Sequence, residues 1–185
     1  MKPKRSVEPK HKRTSKKWTG TTPNIEIVYE DNHLLIIDKP AGLLSQADKT
    51  NNVDLTELCK RYLKKAYNKP GNVYLGLTHR LDRPVSGLMV LTKTSKAASR
   101  ISQHIRENRL KKTYWAIVHG RTPLEATYEH FLKKDSKTNK TKAFSSKKSG
   151  AKPAVLSYTT LKQSAHYSLI EIDLVTGKPH QIRVQ

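Results

Sequence analysis

Apolar residues recur along this chain with two different periods. Ile25-Glu26-Ile27-Val28-Tyr29 alternates as a half-buried strand does, and Leu34 to Ile37 is a continuous apolar run of buried-strand length. Lys39-Pro40-Ala41-Gly42 then predicts a turn. Over residues 54–67 the period changes. Leu55, Leu58, Cys59, Tyr62, Leu63 and Ala66 share one helical face, and Asp54 with Glu57 resembles an N-terminal cap pair. A second helix is predicted over Ser95 to Asn108, with Ala97, Ala98, Ile101 and Ile105 on its apolar face. Strand patterns return at Tyr114–Val118, at 126–132, at 154–161 and at Tyr167–Leu174. This irregular order argues for an α+β fold with a mixed, largely antiparallel sheet flanked by helices, not a doubly wound array.

Charge divides the chain further. Lysine and arginine total 36 against 15 acids, a net charge of +21. Residues 1–22 are basic, with Pro, Ser and Thr between the cations, and read as a disordered tail; 23–185 reads as one domain. Residues 133–153 form a lysine-rich insertion, a long hairpin or mobile loop. Its charge fits solubility or RNA binding equally well. A charge this large strains a compact fold by self-repulsion unless an anion offsets it. Nucleic acid is the first candidate, because each cation at a phosphate releases counterions. A membrane is the weaker one, since no long basic amphipathic helix is evident. The longest aliphatic run, Leu34–Ile37, is too short to span a bilayer, and no apolar segment follows the charged N-terminus as in a secretory signal. A cytoplasmic location is expected. The single cysteine, Cys59, excludes an internal disulfide and falls on the apolar helix face, where a buried structural thiol is expected.

The segment richest in chemistry is His79-Arg80-Leu81-Asp82-Arg83-Pro84-Val85-Ser86-Gly87, between the apolar runs Val73–Leu77 and Leu88–Leu91. Several readings of it fail. Histidines are scattered without metal-ligand spacing, and acids are too sparse for two-metal chemistry. No glycine-rich phosphate loop appears. His79, Asp82 and Ser86 lie too close in sequence for a hydrolytic triad. Asp82 remains, a lone carboxylate among arginines. It could act as a covalent nucleophile on a sugar or base, given a cation to keep it ionised. Arg183, in His180-Gln181-Ile182-Arg183-Val184, is a distant candidate for that cation. The plainer reading makes Asp82 a turn residue paired with Arg83.

Four stretches in order resemble the RluA-type pseudouridine synthases, over about residues 25–185. They are Asp38-Lys39-Pro40-Ala41-Gly42, the His79–Gly87 segment, Lys112-Thr113-Tyr114-Trp115-Ala116-Ile117-Val118-His119-Gly120, and Thr176-Gly177-Lys178-Pro179-His180-Gln181-Ile182-Arg183-Val184. The resemblance implies that Asp82 is the nucleophile that breaks the uridine N1–C1′ bond. Tyr114 would stack on the base, and Arg183 would pair with Asp82. Arg80 would fill the gap left by the flipped uridine, with His79, Arg83 and Lys39 as further RNA contacts. The implied activity is isomerisation of uridines in structured RNA, ribosomal or transfer, by a monomer with no metal or organic cofactor. Val85 stands where many members carry Thr, and the chain stops directly after the arginine motif, so a domain truncated at its C-terminus is expected. Two alternatives stand beside this: a non-catalytic RNA-binding protein of the same fold and, last, a DNA-binding module presenting the 95–108 helix.

Overall fold

In a computed structural model that describes residues 16–18, 25–50 and 52–185, the two apolar periods become strands and helices close to where they were expected. The chain divides into two compact units, one up to Gln103 and one from His104, where the sequence reading placed a single domain over 23–185. Each has its own five-stranded sheet, and every strand ladder is antiparallel.

Unit 1 holds strands β1 Lys16–Trp18, β2 Ile25–Glu30 and β3 Leu34–Lys39, then helix α1 Leu55–Ala66, the short β4 Gly76–Leu77, β5 Gly87–Thr92 and helix α2 Ser95–Arg106. The sheet order is β1-β2-β3-β5-β4. Within the expected tail, Lys16–Trp18 pairs with β2, a strand that composition did not predict; the rest of 1–22 lies outside the described residues. The β2–β3 hairpin turns on Asp31, whose Oδ1 accepts the amides of His33 at 2.7 Å and Leu34 at 2.6 Å. Ile25, Leu35, Ile37, Met89 and Leu91 from the strands and Leu55, Leu58 and Leu63 from α1 are fully buried, as the alternation and the helical stripe require. The cap pair also forms: Asp54 Oδ1 accepts the Glu57 amide at 3.1 Å. Cys59 is fully enclosed, and burial, with the charges of Asp54 and Glu30, pushes its thiol up to about 12. It is a core residue.

Unit 2 holds β6 Thr113–His119, β7 Glu125–Lys134, β8 Thr141–Phe144, β9 Lys152–Gln163, β10 Tyr167–Asp173 and the single turn α3 Gln181–Val184. The sheet order is β6-β10-β9-β7-β8. Leu156, Tyr158, Ile170, Ile172 and Leu174 form its core, with Tyr114, Ala116, Val118 and Ile182 packed against it. Alternation along β6 therefore turns Tyr114 inward and leaves Trp115 and Ile117 exposed. Among the described residues no helix is long and apolar enough to cross a membrane.

A largely buried polar cluster of unit 1 sits where β2 ends. Glu30 accepts from Lys93 Nζ at 2.7 Å, from Tyr67 Oη at 2.7 Å and from Tyr62 Oη at 2.7 Å, which ties the helix to the sheet. Burial raises the Glu30 pKa, but these three donors outweigh it and hold the carboxyl below its ordinary value. Burial likewise pulls Lys93 down, and its bonds to Glu30 and Tyr67 more than restore it. The Lys93 and Glu30 side chains are only 7% and 15% exposed, so removing one partner strands a largely buried charge. Lys93→Met is predicted to cost about 3–5 kcal/mol of unfolding free energy, read from urea midpoints. The depressed Glu30 pKa contributes stability that is complete above the ordinary glutamate value of about 4.3 and is lost as pH falls through the lower folded value. Glu30→Gln is therefore predicted to flatten the acid limb of the stability–pH curve.

Candidate active site

The segment His79–Ser86 joins β4 to β5 and has no regular secondary structure. Its position must come from hydrogen bonds and one apolar anchor. Leu81 is that anchor, 9% exposed. Thr78 Oγ1 donates to the Val90 carbonyl at 3.2 Å, and His79 Nε2 accepts the Val90 amide at 3.0 Å. An imidazole thus takes a place that a strand carbonyl would otherwise fill. After Asp82 the chain closes a tight turn, with the Val85 amide on the Asp82 carbonyl at 3.0 Å. Gly87 then re-enters the sheet at φ 131°, a conformation that a Cβ would oppose.

The turn after β3 grips this loop on both sides of Asp82. Ser45, 5% exposed, donates its Oγ–H to the Leu81 carbonyl at 2.6 Å. The Gly42 amide, at φ 86°, donates to the Arg83 carbonyl at 2.7 Å, and Arg83 Nε returns a bond to the Gly42 carbonyl at 3.0 Å. Lys39 Nζ reaches the carbonyls of Leu43 at 2.8 Å, Pro40 at 3.0 Å and Arg83 at 3.4 Å. The carbonyls immediately before and after Asp82 are both held, while the Asp82 side chain is half-buried.

These contacts bear on one expectation. Lys39 is fully buried, and an ammonium has three donors, all directed at backbone carbonyls. Its ammonium faces the protein interior, which argues against the expected RNA contact. Its ordinary pKa is lowered by burial and supported by the negative charge of Asp82. Lys39 thus brings a positive charge to the Asp82 loop from beneath. The sequence points for such a charge to Arg183 or Arg83, not to Lys39. Arg80 and Arg83 are exposed, and His79 is half-buried with Nε2 committed to β5.

Unit 2 carries the other two expected residues. Tyr114 is on β6, paired with Ile172 of β10, and packs half-buried on the core. Arg183 is an exposed residue of α3. That turn is fastened by a residue the sequence reading did not single out. Gln181, 2% exposed, donates to the Val155 carbonyl at 3.1 Å and accepts from Thr176 Oγ1 at 2.9 Å and the Lys178 amide at 3.0 Å. Ile182 packs into the core beside it. A cleft of about 390 Å³ opens on this side of unit 2, lined among others by Ala116, Val118, Tyr128, Tyr158, Ile182 and Arg183. His79, Arg80, Asp82 and Arg83 with Lys39 are thus gathered on one loop and the turn behind it, and Tyr114 and Ile182 on one core. Among the described residues no group of three or more His, Cys, Asp or Glu could hold a metal ion.

Comparison with known proteins agrees with these motifs. Residues 33–185 match the family described as RNA pseudouridylate synthase. The chain is 36% identical over 160 residues to the ribosomal large subunit pseudouridine synthase C of Buchnera aphidicola subsp. Schizaphis graminum, which covers 85% of this chain and 48% of that protein. It is 33% identical over 162 residues to the ribosomal large subunit pseudouridine synthase D of Zymomonas mobilis, covering 86% and 51%. Among solved structures, the human RNA pseudouridylate synthase domain containing 4 superposes with a TM-score of 0.70 at 27% identity, covering 85% of this chain and 62% of that one. The chain belongs to the RluA-type RNA pseudouridine synthase family. It spans about half the length of the curated relatives it matches.

The buried ammonium gives a test of this inward direction. Lys39→Met would remove the ammonium donor from the Leu43 and Pro40 carbonyls, while the Arg83 carbonyl keeps the Gly42 amide. It is predicted to lower stability by about 1–3 kcal/mol by chemical denaturation. The salt dependence of RNA binding should stay unchanged, because no phosphate contact is lost.

Proposed function

We propose that this protein is an RNA pseudouridine synthase, isomerising uridines of structured RNA to pseudouridine. The observation that carries the reading is Asp82, held by its flanking carbonyls and backed by the Lys39 charge, inside a region that matches the family throughout. A carboxylate fixed in place is suited to covalent attack. Asp82 attacks the uridine at the sugar carbon or the uracil ring, and the N1–C1′ bond breaks. The freed base turns and C5 bonds to C1′, Asp82 is released, the C5 proton leaves and N1 takes up a proton. The product has the same composition as the substrate, so the reaction needs no oxidant or reductant.

The other residues take supporting parts. Tyr114 stacks on the target base and takes the part of removing the C5 proton. Arg183 takes the part of a cationic partner to Asp82, while Lys39 acts from the interior of unit 1. Exposed Arg80 occupies the space that the flipped uridine vacates, and Arg83 contributes to backbone binding through the part of its guanidinium beyond Nε. Relatives are named for ribosomal RNA and, in the tRNA pseudouridine synthase C of Pectobacterium carotovorum at 31% identity, for transfer RNA. Either class suits a monomer that reads shape and charge in the cytoplasm.

Asp82→Asn tests the reading. The variant keeps the loop's shape and removes the nucleophilic charge. It should fail to restore pseudouridine, mapped in RNA from a strain lacking the gene, while the wild-type chain restores it. The variant's affinity for RNA should fall no more than a few-fold. Full restoration by Asp82→Asn would contradict the assignment.

A further inference from the structure

The net charge is not spread evenly. Between Lys133 and Lys152 there are eight lysines and one acid, Asp135, a net +7 within 20 residues of a chain whose total is +21. The structure makes this stretch a built finger. Lys133 and Lys134 end β7, and β8 returns antiparallel with Leu132 opposite Ala143 and Lys133 opposite Lys142. The tip is closed by Asp135. Its Oδ1 accepts the amides of Lys137 at 2.8 Å and Thr138 at 3.3 Å, and its own amide donates to the Lys140 carbonyl at 2.8 Å. Asn139 adopts the left-handed conformation that such a turn needs, at φ 57°. Lys133 Nζ donates to the Ser149 carbonyl at 2.9 Å and fastens the following loop to the finger.

Two features of this finger are costly unless an anion meets it. Like charges directly opposite in an antiparallel pair are destabilising, and Lys133 and Lys142 stand in that relation. The one acid near them is committed to the backbone of the turn, although its charge still acts on Lys142. All eight lysines are exposed. The finger also lacks what a membrane or a base-reading surface requires. From Asp135 to Lys142 there is no apolar residue to enter a lipid interface. No aromatic lies between Phe131 and Phe144 to stack on a base. What remains is a set of point charges on a hydrogen-bonded turn, suited to phosphates and indifferent to sequence.

We propose that the β7–β8 finger is an RNA-gripping arm that holds the phosphate backbone of a structured RNA through Lys137, Lys140 and Lys142, without reading bases. The inference rests on the proposed action on RNA and adds where the backbone is held. The arm supplies affinity independent of sequence, so choice of the uridine is left to other parts of the protein.

The test is a Lys137→Gln, Lys140→Gln, Lys142→Gln triple variant of the full chain, which keeps Asp135 and the Lys133 tether. Affinity for two RNA stem-loops of unrelated sequence is measured between about 50 and 200 mM salt, where phosphate contacts dominate the dependence. With each contact contributing a slope of about 0.9 for a duplex, the slope of log affinity against log salt should become shallower by about 2–3. The loss should be equal for both RNAs, and Lys→Arg at the same positions should restore the slope. The urea midpoint should not fall, since these side chains are exposed and Lys142→Gln relieves the repulsion with Lys133. An unchanged slope, or a loss confined to one RNA, overturns the proposal. The two readings fail separately. A wild-type chain that binds with the steep slope but forms no pseudouridine refutes the enzyme and keeps the arm. Pseudouridine formation by a chain whose slope ignores the triple substitution does the reverse.

Discussion

The pair of bonds that hold the carbonyls of Leu81 and Arg83 is the constraint on which the candidate site depends. The loop between β4 and β5 has no ladder of its own, and β4 is only two residues long. A free loop would let Asp82 sample many positions. Ser45 and Gly42 remove that freedom by donating to the residues on either side of it, and Leu81 fixes the loop's depth by burial. The turn that does this begins at Lys39, the last residue of β3, and β3 pairs directly with β5. The loop is therefore held by the same strand neighbours that its two ends join.

Electrostatics follow from that arrangement. Burying an ammonium is expensive unless its donors are satisfied and an opposite charge lies near. Lys39 meets both conditions, with three carbonyls at its donors and Asp82 within electrostatic reach. One interior charge thus shapes the loop and supports its carboxylate. Unit 1 contains a second largely buried cation, Lys93, and it is handled differently: a carboxylate, Glu30, takes it directly, with two tyrosines completing the shell. A direct ion pair neutralises its charges, and Lys93 serves to join β2 to α1. The Lys39 charge, bonded only to dipoles, remains effective at Asp82.

Much of the fold was legible in the sequence because hydrophobic period is a local signal. The α1 stripe, its Asp54 cap and the strand runs from Ile25 onward all appear where the period placed them. Long-range partners carry no such mark. Nothing in the spacing of Ser45 distinguishes it from any polar turn residue, yet its hydroxyl meets a carbonyl that lies 36 positions further along the chain. Gln181 stood beside the conspicuous Arg183 and was passed over, although it is the residue that fastens the turn. The inward direction of Lys39 is hidden for a related reason. In a basic chain a lysine after a strand looks like a phosphate contact, and only the packing shows that it points inward. The division into two units was not legible either, since the period of β6 resembles that of any strand in a single sheet.

The claim that the clamp positions Asp82 for chemistry is tested most directly by the single-turnover rate of pseudouridine formation in Ser45→Ala at saturating RNA. Ser45 removes no charge and is almost fully enclosed, so RNA affinity should be unchanged. Losing one hydrogen bond at Leu81 should let the carboxylate drift, and a displacement near 1 Å can cost about a hundredfold in rate. The account predicts a fall of about tenfold or more at constant affinity. A variant that folds, binds RNA as the wild type does and reacts at the same rate would contradict it.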